Sequence, residues 1–304
     1  IKTGDQYPFT QRPFKHSDFI FPITMDPKAS YVFYLRYQTT SSMILSLKMW
    51  GPKAFHDNNT AETSVLWSFY GAFFVMFAFN LCIFLTSRTF HNFYYILYIC
   101  CFALLMMSLN GMAFQYLWPD SIWWANICIP IFMSIIIISI IQFVLITTKA
   151  KELSPYRSLP LTILTWSSFA NIGITVVLNS YRFGIITSTV MTGIASTYGT
   201  YIIIHMAFVK KVREALFIFI SFKLFLSGIL LYVLKTLSII PVNFFSNNSI
   251  NFGAICQLIF LSLIYPDQLN ELRKKLMKMN VNLDDLVKKR TAQLVYSAHK
   301  AGMA

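Results

Sequence analysis

Long apolar runs without any charged residue restrict this chain more than any other feature of its sequence. A helix needs about 20 consecutive, mostly apolar residues to cross a membrane. Only 12% of the 304 residues are charged, about half the share found in a soluble domain. The runs predict an all-α integral membrane bundle with seven spans: Thr63–Thr86, Phe93–Trp118, Ile127–Thr148, Ser158–Leu178, Phe183–Phe208, Ala215–Ile240 and Ile250–Tyr265.

The positions of lysine and arginine predict how this bundle is oriented. Cytoplasmic loops carry an excess of these residues. An external N-terminus gives the cytoplasmic loops Arg88, Lys149, Lys151, Arg157, Lys210, Lys211 and Arg213. The opposite loops contain Arg182, together with Trp118, Trp123 and Trp124, which are typical of a membrane interface. We therefore expect the N-terminus outside, the C-terminus in the cytoplasm and lipid as a partner. The net charge of +13 then reflects topology and not nucleic-acid binding.

Residues 1–60 have a different, more polar composition. Asp18–Met25, Tyr31–Gln38 and Met43–Met49 are short runs rich in aromatic and branched residues, separated by proline and small polar residues. These runs predict antiparallel strands, because the links are too short for a helical crossover. Three strands make a poor core alone, so we expect residues 1–60 to be part of a larger extracytoplasmic β-domain.

After the seven spans (residues 61–265), residues 266–304 follow a helical repeat. Their apolar positions alternate at spacings of three and four: Leu269, Leu272, Leu276, Met279, Leu283 and Leu286. This seam predicts a cytoplasmic coiled coil, and therefore a homodimer. The repeat shifts near Arg290, which resembles a stutter. An amphipathic helix lying on the membrane surface is the alternative.

Polar residues inside the spans are the candidates for a ligand site. We name Asn110, Gln115, Trp118, Asn171 and His205 as candidate ligand-binding residues, although such residues are also ordinary hydrogen-bond partners between helices. No acidic residue lies within a span, which argues against a proton-coupled transporter. The seventh span lacks the lysine that a retinal protein requires. The sequence predicts no catalytic residue, metal site or cofactor.

The stretch from Tyr34 to Trp118 resembles the bacterial seven-transmembrane receptors with diverse intracellular signalling modules, and the resemblance continues more weakly through all seven spans. The matching segments are YLRYQTTSSMILSLKMWGPKAF (Tyr34–Phe55), FYGAFFVMFAFNLCIFLTSR (Phe69–Arg88) and FYYILYICCFALLMMSLNGMAFQYLWPDS (Phe93–Ser121). NGMAFQYLWPD is the most specific part. The resemblance implies a location in the bacterial inner membrane. It also implies an external β-sandwich for small, carbohydrate-like ligands and a cytoplasmic output module.

The last residues of the chain indicate which type of output module to expect. VNLDDLVKKRTAQL (Val281–Leu294) is similar to the signalling helix before histidine kinase domains, and SAHKAGMA (Ser297–Ala304) looks like the start of a kinase dimerisation helix. The resemblance places the phosphoaccepting histidine beyond Ala304, so His299 is not expected to fill that role. We therefore expect a receptor that signals to a histidine kinase, with no catalytic core in these residues. A diguanylate cyclase-type receptor, or a transporter or channel, is the alternative.

Overall fold

A computed structural model of the protein describes residues 3–26, 30–38, 47–237, 239–241 and 243–301, without the side chains of 265–272, 275 and 292–301. Helices account for most of these residues. They are α1 (Pro52–Ser87), α2 (Phe90–Leu109), α3 (Met112–Tyr116), α4 (Ile122–Thr147), α5 (Ala150–Leu153), α6 (Pro155–Leu178), α7 (Tyr181–Ile204), α8 (Arg213–Thr236), α9 (Phe244–Asn247), α10 (Ser249–Ser262) and α11 (Ile264–Ala301). A short 3-10 helix covers Phe9–Gln11, and a π-helical turn covers His205–Val209.

The helices confirm a multi-pass membrane protein. Within the described residues, five helices are long and apolar enough to cross a membrane: α1, α2, α4, α6 and α8. The other two predicted spans correspond to α7, which has 24 residues but many Thr, Ser and Gly, and to α10, which is apolar but has 14 residues. The predicted second span ends earlier than expected, because α2 stops at Leu109 and Gly111 turns the chain with a φ of 70°.

Helix α4 is the central helix of the bundle. In its most apolar stretch 61% of the residues are buried, compared with 17% for α8. Helices α2, α6 and α7 pack around it, and the fully buried Tyr95 and Phe143 belong to the largest core cluster. Helices α8 and α10 form a close pair at one side. This pair approaches closely because Gly228 and Gly253 face each other without side chains.

In the described residues of the N-terminal segment, the expected strands are not formed. Residues 18–26 and 30–38 contain no strand, and of the predicted strand Met43–Met49 only 47–49 lie within the described residues. Extended backbone becomes a strand only when a neighbouring segment pairs with it. Val32 and Tyr34 are instead 75% and 94% exposed. The β-sandwich is therefore not confirmed in these residues.

Helix α11 continues the chain beyond the bundle. It has 38 residues and passes through Arg290 without interruption. Leu276, Met279, Leu283 and Leu286 of the predicted seam are 51%, 63%, 60% and 59% exposed in the single chain. The side chains of Leu269 and Leu272 lie outside the described residues. The helix is confirmed, while its assembly into a coiled coil stays a prediction.

Candidate functional site

Part of the N-terminal segment, within residues 3–19, packs against the connection between α2 and α4. The backbone N–H of Phe9 donates a hydrogen bond to the carbonyl of Pro119 over 2.9 Å. The Phe9 ring meets Phe114 of α3 edge to face, with 5.9 Å between the centroids. Phe114 and Pro119 belong to the NGMAFQYLWPD segment. We call this contact between residues 3–19 and residues 110–120 the docking site.

Arg12 organises the chain at the docking site. Its guanidinium donates to the carbonyls of His16 and Ser17, each over 2.8 Å, and to the carboxylate of Asp5 over 3.1 Å. Burial lowers the pKa of Arg12, while the carboxylates of Asp5 and Asp18 act in the opposite direction. A buried cation is costly unless it is paired and hydrogen-bonded. These partners keep the cation in place.

Aromatic rings surround the same guanidinium. It lies 4.7 Å from the ring centroid of Phe9, 4.4 Å from that of Phe19 and 5.7 Å from that of Phe114. Phe9 and Phe19 belong to the N-terminal segment, whereas Phe114 belongs to α3. Cation–π contacts are each worth about 0.5–2 kcal/mol. Arg12 therefore joins the segment to the helical bundle.

The turn before α3 fits closely under the docked segment. A Cβ atom on Gly111 would lie 3.1 Å from the carbonyl oxygen of Ser17, and the positive φ at this position also favours glycine. The neighbouring Asn110 side chain donates to the hydroxyl of Tyr70 in α1 over 2.8 Å. The turn thus contacts the docked segment on one side and α1 on the other.

The docked segment also reaches α1 directly. The Nε2 atom of His16 lies 2.6 Å from the side-chain oxygen of Asn59. The rings of Phe14 and His16 meet Phe55 edge to face, at 6.1 and 5.9 Å between centroids. Because α1 begins at Pro52, its first turns hold these partners in a fixed position. A displacement of the N-terminal segment would therefore change its contacts with both α1 and α3.

Within the bundle, Asn171 joins three helices. Its amide donates to Ser134 of α4 and to Ser188 of α7, each over 3.0 Å, and its carbonyl oxygen accepts from Thr187. Ser188 also donates to the carbonyl of Pro130 over 3.2 Å. We call these five residues the core polar cluster. Their hydrogen bonds stabilise the packing of α4, α6 and α7.

A second polar group lies where α10 leads into α11. The fully buried Tyr95 of α2 donates to the carbonyl of Leu258 over 2.7 Å. Ser262 donates to the same carbonyl over 2.9 Å, and Asn80 of α1 donates to the Ser262 hydroxyl over 3.2 Å. We call Asn80, Tyr95, Leu258 and Ser262 the root cluster. It connects α1 and α2 to the base of the long α11.

The ladder of helical hydrogen bonds lacks one bond at the same place. Leu263 lies between α10 and α11 and keeps helical dihedral angles, with its N–H donating to the carbonyl of Ile259 over 3.2 Å. Pro266 has no N–H to donate to the carbonyl four residues earlier, which belongs to Ser262. Two other donors compete for the carbonyl of Leu258. The junction between α10 and α11 therefore lacks the helical bond of residue 266, and side chains of α1 and α2 add to the hydrogen bonds that remain.

The structure places the predicted ligand residues in three separate locations. Asn110, Gln115 and Trp118 lie in the connection at the docking site, where Trp118 packs against Trp124 and Phe132. Asn171 lies in the core polar cluster. The side chain of His205 contacts Arg157 at the other end of the bundle, where the π-helical turn begins. The structure does not bring them together, and ligand binding by them stays a prediction.

Sequence reasoning missed the residues with the most connections. In the sequence, Arg12 differs from the other cations only in having the aromatic residues Phe9 and Phe19 nearby, which was the one local indication of its role. Tyr95 lies in an apolar run, and its hydroxyl partners are more than 160 residues away. An isolated sequence gives no means of finding such a pair.

Comparison with known proteins gives two family matches. The family described as 7TM diverse intracellular signalling matches residues 62–267. A second family, 7TMR-DISM extracellular 2, matches residues 1–51. No significant match was found among curated proteins or among solved structures.

Proposed function

Because this chain belongs to the 7TM diverse intracellular signalling family, we propose that it is a receptor that relays an external stimulus to a cytoplasmic histidine kinase. The observation that supports this most is a connected set of contacts. It begins at the docking site, passes from Asn110 to Tyr70 of α1 and through the core cluster that contains Tyr70 and Tyr95, and ends at the root cluster beneath α11. Such contacts would allow a change outside to alter the helix that leads to the output module.

The distribution of charge supports the proposed orientation. The cations of the helix connections remote from the docking site are exposed: Arg88, Lys149, Lys151, Arg157, Lys210, Lys211 and Arg213. We call this the basic end of the bundle. An excess of Lys and Arg marks the cytoplasmic side, so the basic end would face the cytoplasm of a bacterial inner membrane. A reporter fused after Lys211 should be active only in the cytoplasm.

The input would come through the N-terminal segment. Residues 1–51 match an extracellular family, and we propose that residues 1–60 complete an external β-domain that takes a small-molecule ligand. Arg12 and Phe9 would pass a displacement of this domain to α3. A ligand changes the receptor only if it binds one of its arrangements more tightly than the other.

Transmission through the bundle would end at the α10–α11 junction. Helix α10 packs closely on α8 at Gly228 and Gly253, and it reaches α1 and α2 through the root cluster. A small shift of α1 or α2 would change which donors bind the carbonyl of Leu258. Packed helices move between discrete arrangements and do not deform continuously. The root cluster is a suitable place for such a two-state change.

The output would pass along α11. Its 38 residues span about 57 Å at 1.5 Å per residue, far enough to leave the membrane. The exposed apolar positions from Leu276 to Leu286 would pair with a second copy as a coiled coil. The similarity of Ser297–Ala304 to a kinase dimerisation helix favours a histidine kinase over a diguanylate cyclase as the output module.

A kinase core fused after Ala304 provides the test. Tyr95→Phe removes the hydroxyl that binds Leu258 but keeps the ring. Tyr94→Phe is the matched control, because the neighbouring Tyr94 is only partly buried and contacts Phe93 by its ring. Losing one hydrogen bond costs about 1 kcal/mol, so Tyr95→Phe should change the ratio of the two states about fivefold.

The measurement is autophosphorylation in membrane vesicles, with disulfide crosslinking of Leu283→Cys as a second readout. Both readouts should shift in Tyr95→Phe and stay unchanged in Tyr94→Phe. Equal activity and equal crosslinking in the two variants would contradict a role of the root cluster in signalling.

A further inference from the structure

Lys223 lies on a shallow groove between α7 and α8. Apart from Lys223 itself, the groove is lined by Thr200 and Ile203 of α7 and by Phe219, Phe222 and Leu226 of α8. It is open to the outside of the bundle along its length and does not enclose a cavity. The side chain of Lys223 is exposed at the outer surface of the bundle. In a membrane, this surface contacts lipid.

The depth of Lys223 makes its charge unusual. It follows Arg213, the first residue of α8, by 10 residues (213 to 223), or about 15 Å along the helix axis. This is about half of the 30 Å hydrocarbon thickness. The ammonium nitrogen lies 5.4 Å from the ring centroid of Phe219, one turn closer to the basic end. The side chain thus extends towards the basic end, as expected for a lysine that reaches for the interface.

The protein supplies no counter-ion to this ammonium group within its described residues. The ion pairs there involve Asp5 and Asp18, both in the N-terminal segment. The residues that begin α8 and precede it at the basic end add the cations Lys210, Lys211 and Arg213 and one carboxylate, Glu214, in the first turn of the helix. A charge inside a membrane requires a partner or water. Because these cations outnumber the single carboxylate, the surrounding field favours an anion from outside the chain as the partner of Lys223.

We propose that the groove binds one anionic phospholipid, an assignment that goes beyond the receptor function. The phosphate would lie beside Lys223 at the level of Phe219, on the side of the basic end. An acyl chain would follow the apolar wall formed by Phe222 and Leu226, towards the centre of the membrane. The order of these residues along α8 matches the order of head group and tail in the leaflet at the basic end.

Native mass spectrometry of the receptor released from nanodiscs tests this proposal. The nanodiscs contain phosphatidylcholine alone or with phosphatidylglycerol, and the variant is Lys223→Met. Lys235→Met is the matched control, since Lys235 lies in the same helix but is hydrogen-bonded to Asn247. A lysine near an anionic lipid contributes enough to change occupancy about fivefold. Lys223→Met should therefore retain phosphatidylglycerol about fivefold less than the wild type and Lys235→Met.

A second variant distinguishes lipid binding in the groove from attraction to the charge of Lys223 alone. Leu226→Trp keeps Lys223 but fills the apolar wall, and it should also reduce phosphatidylglycerol retention. Thermal unfolding in phosphatidylcholine nanodiscs shows whether Lys223→Met is folded. If it is not, the retention of phosphatidylglycerol by Leu226→Trp tests the proposal instead. Equal retention in wild type and Lys223→Met overturns the proposal. Full retention by Leu226→Trp overturns it as well, because the lipid would then be bound elsewhere.

Discussion

The contact between α8 and α10 leads to a sharp prediction, because a single methyl group tests it. A Cβ atom on Gly228 would lie 2.5 Å from the carbonyl oxygen of Ser249 and 3.1 Å from the Cα of Gly253. Both are backbone atoms, so no side-chain rotation can make room. Gly228→Ala must therefore push α10 away from α8 along the whole contact.

The size of the effect follows from this overlap. Inserting a methyl group into a tightly packed contact costs about 1–3 kcal/mol. An alanine would otherwise favour the helix over glycine by up to about 1 kcal/mol. Gly199 of α7 is the matched control, because a methyl group added there would have no other atom within 4 Å. Gly228→Ala should lower the free energy of unfolding, whereas Gly199→Ala should leave it unchanged or raise it.

Thermal unfolding of the purified receptor in detergent is the assay. The two variants should differ by about 2 kcal/mol or more, which corresponds to a separation in Tm of roughly 5 °C for a chain of this size. Gly253→Ala should lie between them, since its nearest atoms would be at 3.2–3.3 Å. The same Tm for Gly228→Ala and Gly199→Ala would refute the close contact, and with it the proposed connection of α8 to α10.

Two further predictions concern the bundle core and the output helix. Asn171→Leu should lower the free energy of unfolding by about 1–2 kcal/mol, because it removes hydrogen bonds to α4 and α7. Ser167→Ala is the control, since it removes only a hydrogen bond to the Leu164 carbonyl in its own helix. It should change the free energy of unfolding little in the same thermal assay. With Leu276→Cys as the reporter, Leu283→Asp should abolish disulfide crosslinking between copies of α11, while Lys288→Asp should reduce it little. Equal effects of the last two variants would favour a helix lying on the membrane surface.

The membrane helices could be predicted from the sequence because their signal is local. A charge-free apolar run such as Ile127–Thr148 has few alternatives to a buried helix, and α4 differs from it by a few residues at its start. The end of the second span was missed although Asn110-Gly111 is a typical turn dipeptide. The apolar composition around it hid the turn, and only the positive φ of Gly111 reveals it.

Other features depend on partners that are distant in the sequence. The strand prediction for Tyr31–Gln38 used aromatic and branched residues, but a strand also requires a paired neighbour, which composition cannot supply. The hydrogen bond from Asn80 to Ser262 joins positions 182 residues apart. Asn171 was chosen as a ligand residue because it is polar and lies within a predicted span. Its donors and acceptors are instead used by Ser134, Thr187 and Ser188.

The junction at Leu263 has a consequence for the design of chimeric receptors. In a continuous helix, the rotational phase of every downstream residue is fixed by the residue where the helix begins. Leu263 keeps helical dihedral angles and its N–H donates to the carbonyl of Ile259, so this phase continues from α10 into α11, while the missing N–H of Pro266 permits a bend. A fusion made at this joint should therefore match the phase of the output helix to the membrane span. One made farther along α11 has to conserve the seven-residue repeat.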